Sequence, residues 1–161
     1  MPDLSRILKA RQPLTLAQVA RGAQPLVMAD LARASTGRAV FIAPDDAAMR
    51  SVVDAAAFFA PELEVIEFPA WDSLPYDRAS PALAISARRL AALHRLQAGK
   101  ARAQLIVTTA NAVLQRVLTP FRIRESVREF KPGVEIGRES LSALLQRQGY
   151  SRTDTVIDKG E

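Results

Sequence analysis

The chain of 161 residues contains no cysteine, one histidine, one tryptophan and four lysines, at Lys9, Lys100, Lys131 and Lys159. Without cysteine there can be no disulfide framework, thiolate zinc site or cysteine nucleophile, and nothing calls for an oxidising compartment; the cytoplasm is the expected location. A lone His94 rules out any two-histidine metal centre and leaves one imidazole to serve a serine nucleophile. It lies beside Arg95 in a helical stretch and reads as a boundary residue. The apolar runs, Ala39-Val40-Phe41-Ile42-Ala43 and Leu105-Ile106-Val107 among them, fall far short of the roughly 20 residues of a membrane helix, and the N-terminus has no signal-peptide core. Neither a membrane span nor export is expected.

Hydrophobic residues make up 48% of the chain and charged residues 24%, so a folded core is the default. The net charge of +5 is unevenly spread: residues 78–124 carry nine basic side chains and no acidic one. These are Arg78, Arg88, Arg89, Arg95, Lys100, Arg102, Arg116, Arg122 and Arg124. Such a block is either a footprint for nucleic acid or an acidic partner, or a set of solvated arginines on helix faces.

Helix is expected over 15–35, interrupted near Gly22 and Pro25. The run 39–43 has the continuous apolar character of a central parallel strand buried on both faces. Asp45 and Asp46 can cap a helix running to about Ala60, with Met49, Val52, Val53 and Ala56 on one face. Residues 63–68 alternate enough for a strand nearer the sheet edge. The stretch 69–81 holds three of the ten prolines and reads as a structured loop. Ser80-Pro81 announces a helix ending at Gly99, with Ile85, Leu90, Leu93 and Leu96 inward and Arg88, Arg89 and Arg95 outward. A third strand is expected at 104–109 and a helix at 111–118. Alternating strands and helices imply a parallel α/β domain over 1–120. Beyond it, 121–161 reads as the first part of a second, α+β domain: strands at 123–130 and 134–136, a helix at 139–148 stopped by Gly149, and a strand beginning at 155, as though the domain were cut short.

A basic parallel unit invites a test for the phosphate loop G-x-x-x-x-G-K-S/T, in which backbone amides and the lysine cradle phosphates. It fails, because Gly99-Lys100 is followed by Ala101 and preceded by His94 where the first glycine belongs. No catalytic, cofactor or metal site is expected.

The run Phe68-Pro69-Ala70-Trp71-Asp72-Ser73-Leu74-Pro75-Tyr76-Asp77, followed by Ser80-Pro81, Ile85-Ser86 and Arg89-Leu90, resembles the F-P-x-W-E/D-x-L-P-Y-D-x-x-S-P pattern of the bacterial transcription-repair coupling factors. The likeness extends over 109–117 and 141–161 and is weakest before Gly37. The family motif maps onto Trp71, Leu74, Pro75, Tyr76 and Asp77. The resemblance implies a degenerate, P-loop-derived RecA-like domain like that of the helicase UvrB, then the start of a domain that binds UvrA. In the whole protein it implies an ATP-dependent, helicase-type DNA translocase that displaces stalled RNA polymerase at lesions and recruits UvrA for nucleotide excision repair. The magnesium-ATP motor and the polymerase-binding module would lie in domains absent from these residues. UvrB itself is disfavoured. The segment that would be its phosphate loop, near Gly22, lacks lysine and hydroxyl, and only Arg78 and Ala79 separate Asp77 from Ser80-Pro81, leaving no room for UvrB's β-hairpin.

Two functional readings follow. One is a non-catalytic interaction module of a coupling factor, with Arg138, Arg147 and Arg152 as peripheral contacts to UvrA. The other is a stand-alone basic nucleic-acid-binding domain using Arg88, Arg89 and Arg95. Trp71 and Tyr76 serve as base-stacking rings in the second reading and as apolar anchors of their proline-bracketed loop in the first, and the anchor role is expected.

Overall fold

The computed structural model describes residues 4–35, 38–73, 80–99 and 103–155. Its backbone forms two compact units, Met1–Leu118 and Thr119–Glu161. The first is built on a three-stranded parallel sheet of β1 (Ala39–Ala43), β2 (Glu64–Phe68) and β3 (Gln104–Thr109) in the order β1-β3-β2. Residues Ala39 and Leu105 stand opposite each other, as do Glu64 and Gln104.

Alternation along the strands assigns the two faces. Leu105, Val107 and Ala43 are buried with α2 (Gln24–Ala34) and α3 (Asp46–Phe59), whose Ala29, Ala32 and Ala56 are small enough for the helices to approach closely. On the other face Ile66 and Phe68 pack with Ala92 of α4 (Leu83–Gln97) and Ala112 of α5 (Ala110–Leu114). The buried Gln104 side chain is hydrogen bonded on both sides, accepting from Arg38 Nε at 2.5 Å and donating to Glu64 at 2.7 Å, while Arg95 Nε donates to Glu64 at 3.0 Å.

Several expectations are met. Asp45 caps α3 by accepting from the Ala48 amide at 2.7 Å. Gly99, just past α4, has φ +90°, a conformation that suits glycine after a helix end. The strands expected at 63–68 and 104–109 form at Glu64–Phe68 and Gln104–Thr109.

Others are corrected. The strand 39–43 is not central: β3 is, and among the described residues β1 pairs only with β3. Nor is β1 buried on both faces, since Val40 and Ile42 are 51% and 54% exposed; a short apolar run does not reveal which of its sides is covered. The helix expected over 15–35 starts at Gln24 after a single 3₁₀ turn at Arg21–Ala23, and Gln18 sits at φ 60°. A short α1 (Leu4–Leu8) was not anticipated. Ser80-Pro81 does not open α4. Ala82 does, and its amide is held by the Asp72 carboxylate at 3.1 Å. The helix after β3 ends at Leu114 rather than 118, where Gln115 turns extended.

In the second unit the strand expected at 123–130 is overturned: α6 (Pro120–Ser126) occupies its start. Thr119 accepts from the Arg122 amide at 3.4 Å and Pro120 stands at the first helical position, so this pair initiates a helix. No strand forms at 134–136. Helix α7 (Arg138–Arg147) ends as expected at Gly149, φ +91°, with the Tyr150 amide donating to Leu145 and that of Gly149 to Gln146. The strand expected to begin at 155 falls mainly outside the described residues, and those of this unit contain two helices and no strand.

Two outcomes test this packing. Leu105→Ala should cost about 2–5 kcal/mol in urea unfolding, whereas Ile42→Ala should cost less than about 1 kcal/mol because its site is already open to water. By hydrogen exchange, amides of 127–137 should exchange much faster than those of β3.

Candidate interaction site at the carboxyl edge of the sheet

In parallel α/β sheets, binding sites collect at the carboxyl ends of the strands. Here that edge is occupied by residues 69–73, which leave β2, and by α5, which leaves β3. Phe68 ends β2 with its carbonyl accepting from Thr108 Oγ1 at 2.8 Å, and the next residue, Pro69, is buried. From α4 comes Arg89, only 2% exposed. Its guanidinium carbon lies 4.3 Å from the Phe68 ring centre and 4.4 Å from that of Trp71. Its Nη1 donates to the Pro69 carbonyl at 2.5 Å and to Gln115 Oε1 at 3.1 Å. The same Gln115 oxygen accepts from the Trp71 amide at 3.0 Å. One guanidinium thus gathers β2's end, the aromatic loop and the residue that ends α5.

Burial pushes the Arg89 guanidinium below its ordinary proton affinity. An arginine remains charged at neutral pH even so, and among the described residues its partners are two aromatic faces and two uncharged acceptors. Its Nη2 is buried without a hydrogen-bond partner. Against the loop lies a cleft of about 360 Å³, lined by Ala70, Trp71, Asp72, Ser73, Asn111, Leu114 and Gln115.

This arrangement corrects one sequence expectation directly. Arg89 does not face outward as a contact for nucleic acid; it occupies the apolar stripe of α4 together with Ile85, Ala92, Leu93 and Leu96. The signal was in the spacing, because 85, 89, 92, 93 and 96 follow the helical period as well as 85, 90, 93 and 96 do. Gln115 falls in the 109–117 stretch of family likeness, but nothing local in the sequence assigns it a partner. Arg88 and Arg95 are exposed but paired, Arg88 with Glu67 at 3.7 Å and Arg95 with Glu64 at 3.0 Å. Trp71 stacks on the Arg89 guanidinium and donates its amide to Gln115. Leu74, Pro75, Tyr76 and Asp77 lie outside the described residues, as do Arg78, Lys100 and Arg102.

The segment near Gly22 is a 3₁₀ turn running into α2, not a loop after a strand, and a side chain added at Gly22 would meet nothing within 4 Å. Among the described residues no three histidine, cysteine, aspartate or glutamate side chains stand together to hold a metal, and no helix is long and apolar enough to cross a membrane. Within the second unit, Arg138 and Arg152 line one groove with Leu141, Leu145 and Tyr150, while Arg147 lies in the exposed last turn of α7 and does not line it.

The roles of the three helix arginines separate in a stability measurement. Arg88→Ala or Arg95→Ala should change unfolding free energy by about 0–1 kcal/mol, as exposed pairs do. Arg89→Ala should cost about 2–4 kcal/mol, because it leaves a cavity and strips the buried Pro69 carbonyl of its donor.

No protein-family model matches the chain. Curated relatives do. The transcription-repair-coupling factor of Escherichia coli strain K12 is 32% identical over 125 residues, which is 78% of this chain and 11% of that protein. The Haemophilus influenzae protein of the same name is 31% identical over 98 residues, 61% of this chain and 8% of its own length. That of Myxococcus xanthus is 34% identical over 96 residues, 60% of this chain and 8% of its own. The chain is thus a relative of the transcription-repair coupling factors, matching a stretch about one tenth of their length.

Proposed function

We propose that the chain acts as a non-catalytic interaction module of a transcription-repair coupling factor, a degenerate RecA-like unit followed by part of a UvrA-facing domain. The observation that carries this reading is the match to coupling factors over 60–78% of the chain, which includes the aromatic-loop motif. Two features support the non-catalytic part. The Gly22 segment is helical and carries no lysine, and the carboxyl edge of the sheet is filled by the Arg89 cluster rather than by a ring of free amides. In such a protein, removal of RNA polymerase stalled at a DNA lesion would be coupled to UvrA recruitment, with magnesium-ATP consumed by other domains. The second unit, with Arg138 and Arg152 beside an apolar groove, is the surface proposed to face UvrA. Rim charges of this kind set association rate more than affinity.

Nucleic-acid binding by the acid-free block is the second reading. It is weakened by the burial of Arg89 and by the ion pairs of Arg88, Arg95 and Arg122, while Arg116 and Arg124 are exposed.

Calorimetry with magnesium and ATP is expected to give no heat of binding; a micromolar site would overturn the non-catalytic reading. Against immobilised UvrA, association should slow when Arg138, Arg147 and Arg152 are changed together to alanine. If neither this chain nor a full-length coupling factor carrying it associates with UvrA, the UvrA assignment fails. Sub-micromolar duplex binding that collapses with salt and with Arg116→Ala and Arg124→Ala would favour the second reading instead.

A further inference from the structure

Residues 69–73 are tied down almost entirely by side chains. The Pro69 carbonyl accepts from Arg89, the Trp71 amide donates to Gln115, and the Asp72 carboxylate accepts from the Ala82 amide. None of these tethers belongs to the backbone ladder of the sheet, whose register on β2 ends at Phe68. The strap and the sheet therefore have separate supports. Two of these three supports converge on one group, since Arg89 touches both flanking rings, the Pro69 carbonyl and the Gln115 oxygen that also holds Trp71, while the Asp72 contact with the Ala82 amide stands apart from it.

That group is also incompletely satisfied. Nη2 is buried with no hydrogen-bond partner, and among the described residues neither acceptor of Arg89 is a carboxylate. A buried donor left unmade works against the closed arrangement. Burial also lowers the proton affinity of Arg89. The stacking and two strong hydrogen bonds hold the strap down by a margin smaller than they would supply if every donor were paired.

We propose that Arg89 is the latch of a conformational strap: the 69–71 end of residues 69–73 is held closed over the carboxyl edge of the sheet through this guanidinium, and it opens locally when the guanidinium is lost, while the sheet stays folded and Asp72 keeps its own tether to Ala82. The cleft against the loop depends on the latch, because Ala70, Trp71, Asp72 and Ser73 form one wall and Asn111, Leu114 and Gln115 the other. Opening that end takes Ala70 and Trp71 out of the first wall. The latch thus sets whether this edge presents a shaped cleft or a loose loop, whatever docks there. Arg89 is a positioning residue in this scheme, acting through Trp71.

Trp71 is the only tryptophan, so its fluorescence reports the strap alone. The test uses the full chain and compares acrylamide quenching and emission maximum with far-UV circular dichroism. In Arg89→Met, quenching should rise about twofold or more and emission should shift to the red, with the dichroism unchanged, as a local opening requires. Arg89→Lys should fall between the two, because an ammonium keeps the charge but neither stacks flat nor spans two acceptors. A folded Arg89→Met protein with wild-type quenching would overturn the latch. Should that variant fail to fold, Gln115→Ala decides, since it removes the Trp71 tether and one Arg89 acceptor without burying or unburying a charge. A rise in its quenching is expected, and unchanged quenching would overturn the proposal.

Discussion

Both backbone ladders of the sheet run through β3. Strands 39–43 and 64–68 do not pair with each other; each is registered against 104–109, so the sheet exists only because β3 supplies donors and acceptors on both of its edges. This constraint explains the burial of β3, with Leu105, Val107, Thr108 and Thr109 all inside. It also explains why a glutamine can sit at its start. Gln104 is flanked by Arg38 on one side and Glu64 on the other, so its buried amide has a partner for both its oxygen and its nitrogen. A buried amide paired on only one side would cost more than it returned.

From this central strand the two faces are filled unequally. Helices α2 and α3 cover one face with small and medium residues, and α4 covers the other over β2 and β3. Val40 and Ile42 are left in contact with water. The exposed ion pairs of Arg88 and Arg95 join α4 to β2 at little net energy, so apolar contact at Ile66, Phe68 and Ala92 is what holds that helix.

Arg89 is where packing and charge meet. A cation in an apolar stripe is stabilised only if aromatic faces and carbonyls replace its water, and the family-like loop supplies Phe68, Trp71 and the Pro69 carbonyl for that purpose. The loop sequence that carries the resemblance to coupling factors is thus, in its described part, a set of partners for one arginine. This gives those residues a structural reason to occur together, independent of any partner protein.

The sequence by itself determined the parallel α/β character, the strands at 64–68 and 104–109, the Asp45 cap, the glycine stops at 99 and 149, and the family resemblance. Each of these rests on local chemistry: period, capping oxygens, a positive φ, a motif in one stretch of chain. Only the tertiary structure decided that β3 is central, that β1 is open on one face, that Arg89 points inward, and that a helix begins at Pro120 where a strand was expected from 123. Strand order and side-chain direction depend on which elements meet. Pairings such as Arg38 with Gln104, or Trp71 with Gln115, join residues 66 and 44 positions apart. A guanidinium at a stripe position looks the same in sequence whether it meets water or two aromatic rings, and the free energy that separates those outcomes comes from residues that only the fold brings near.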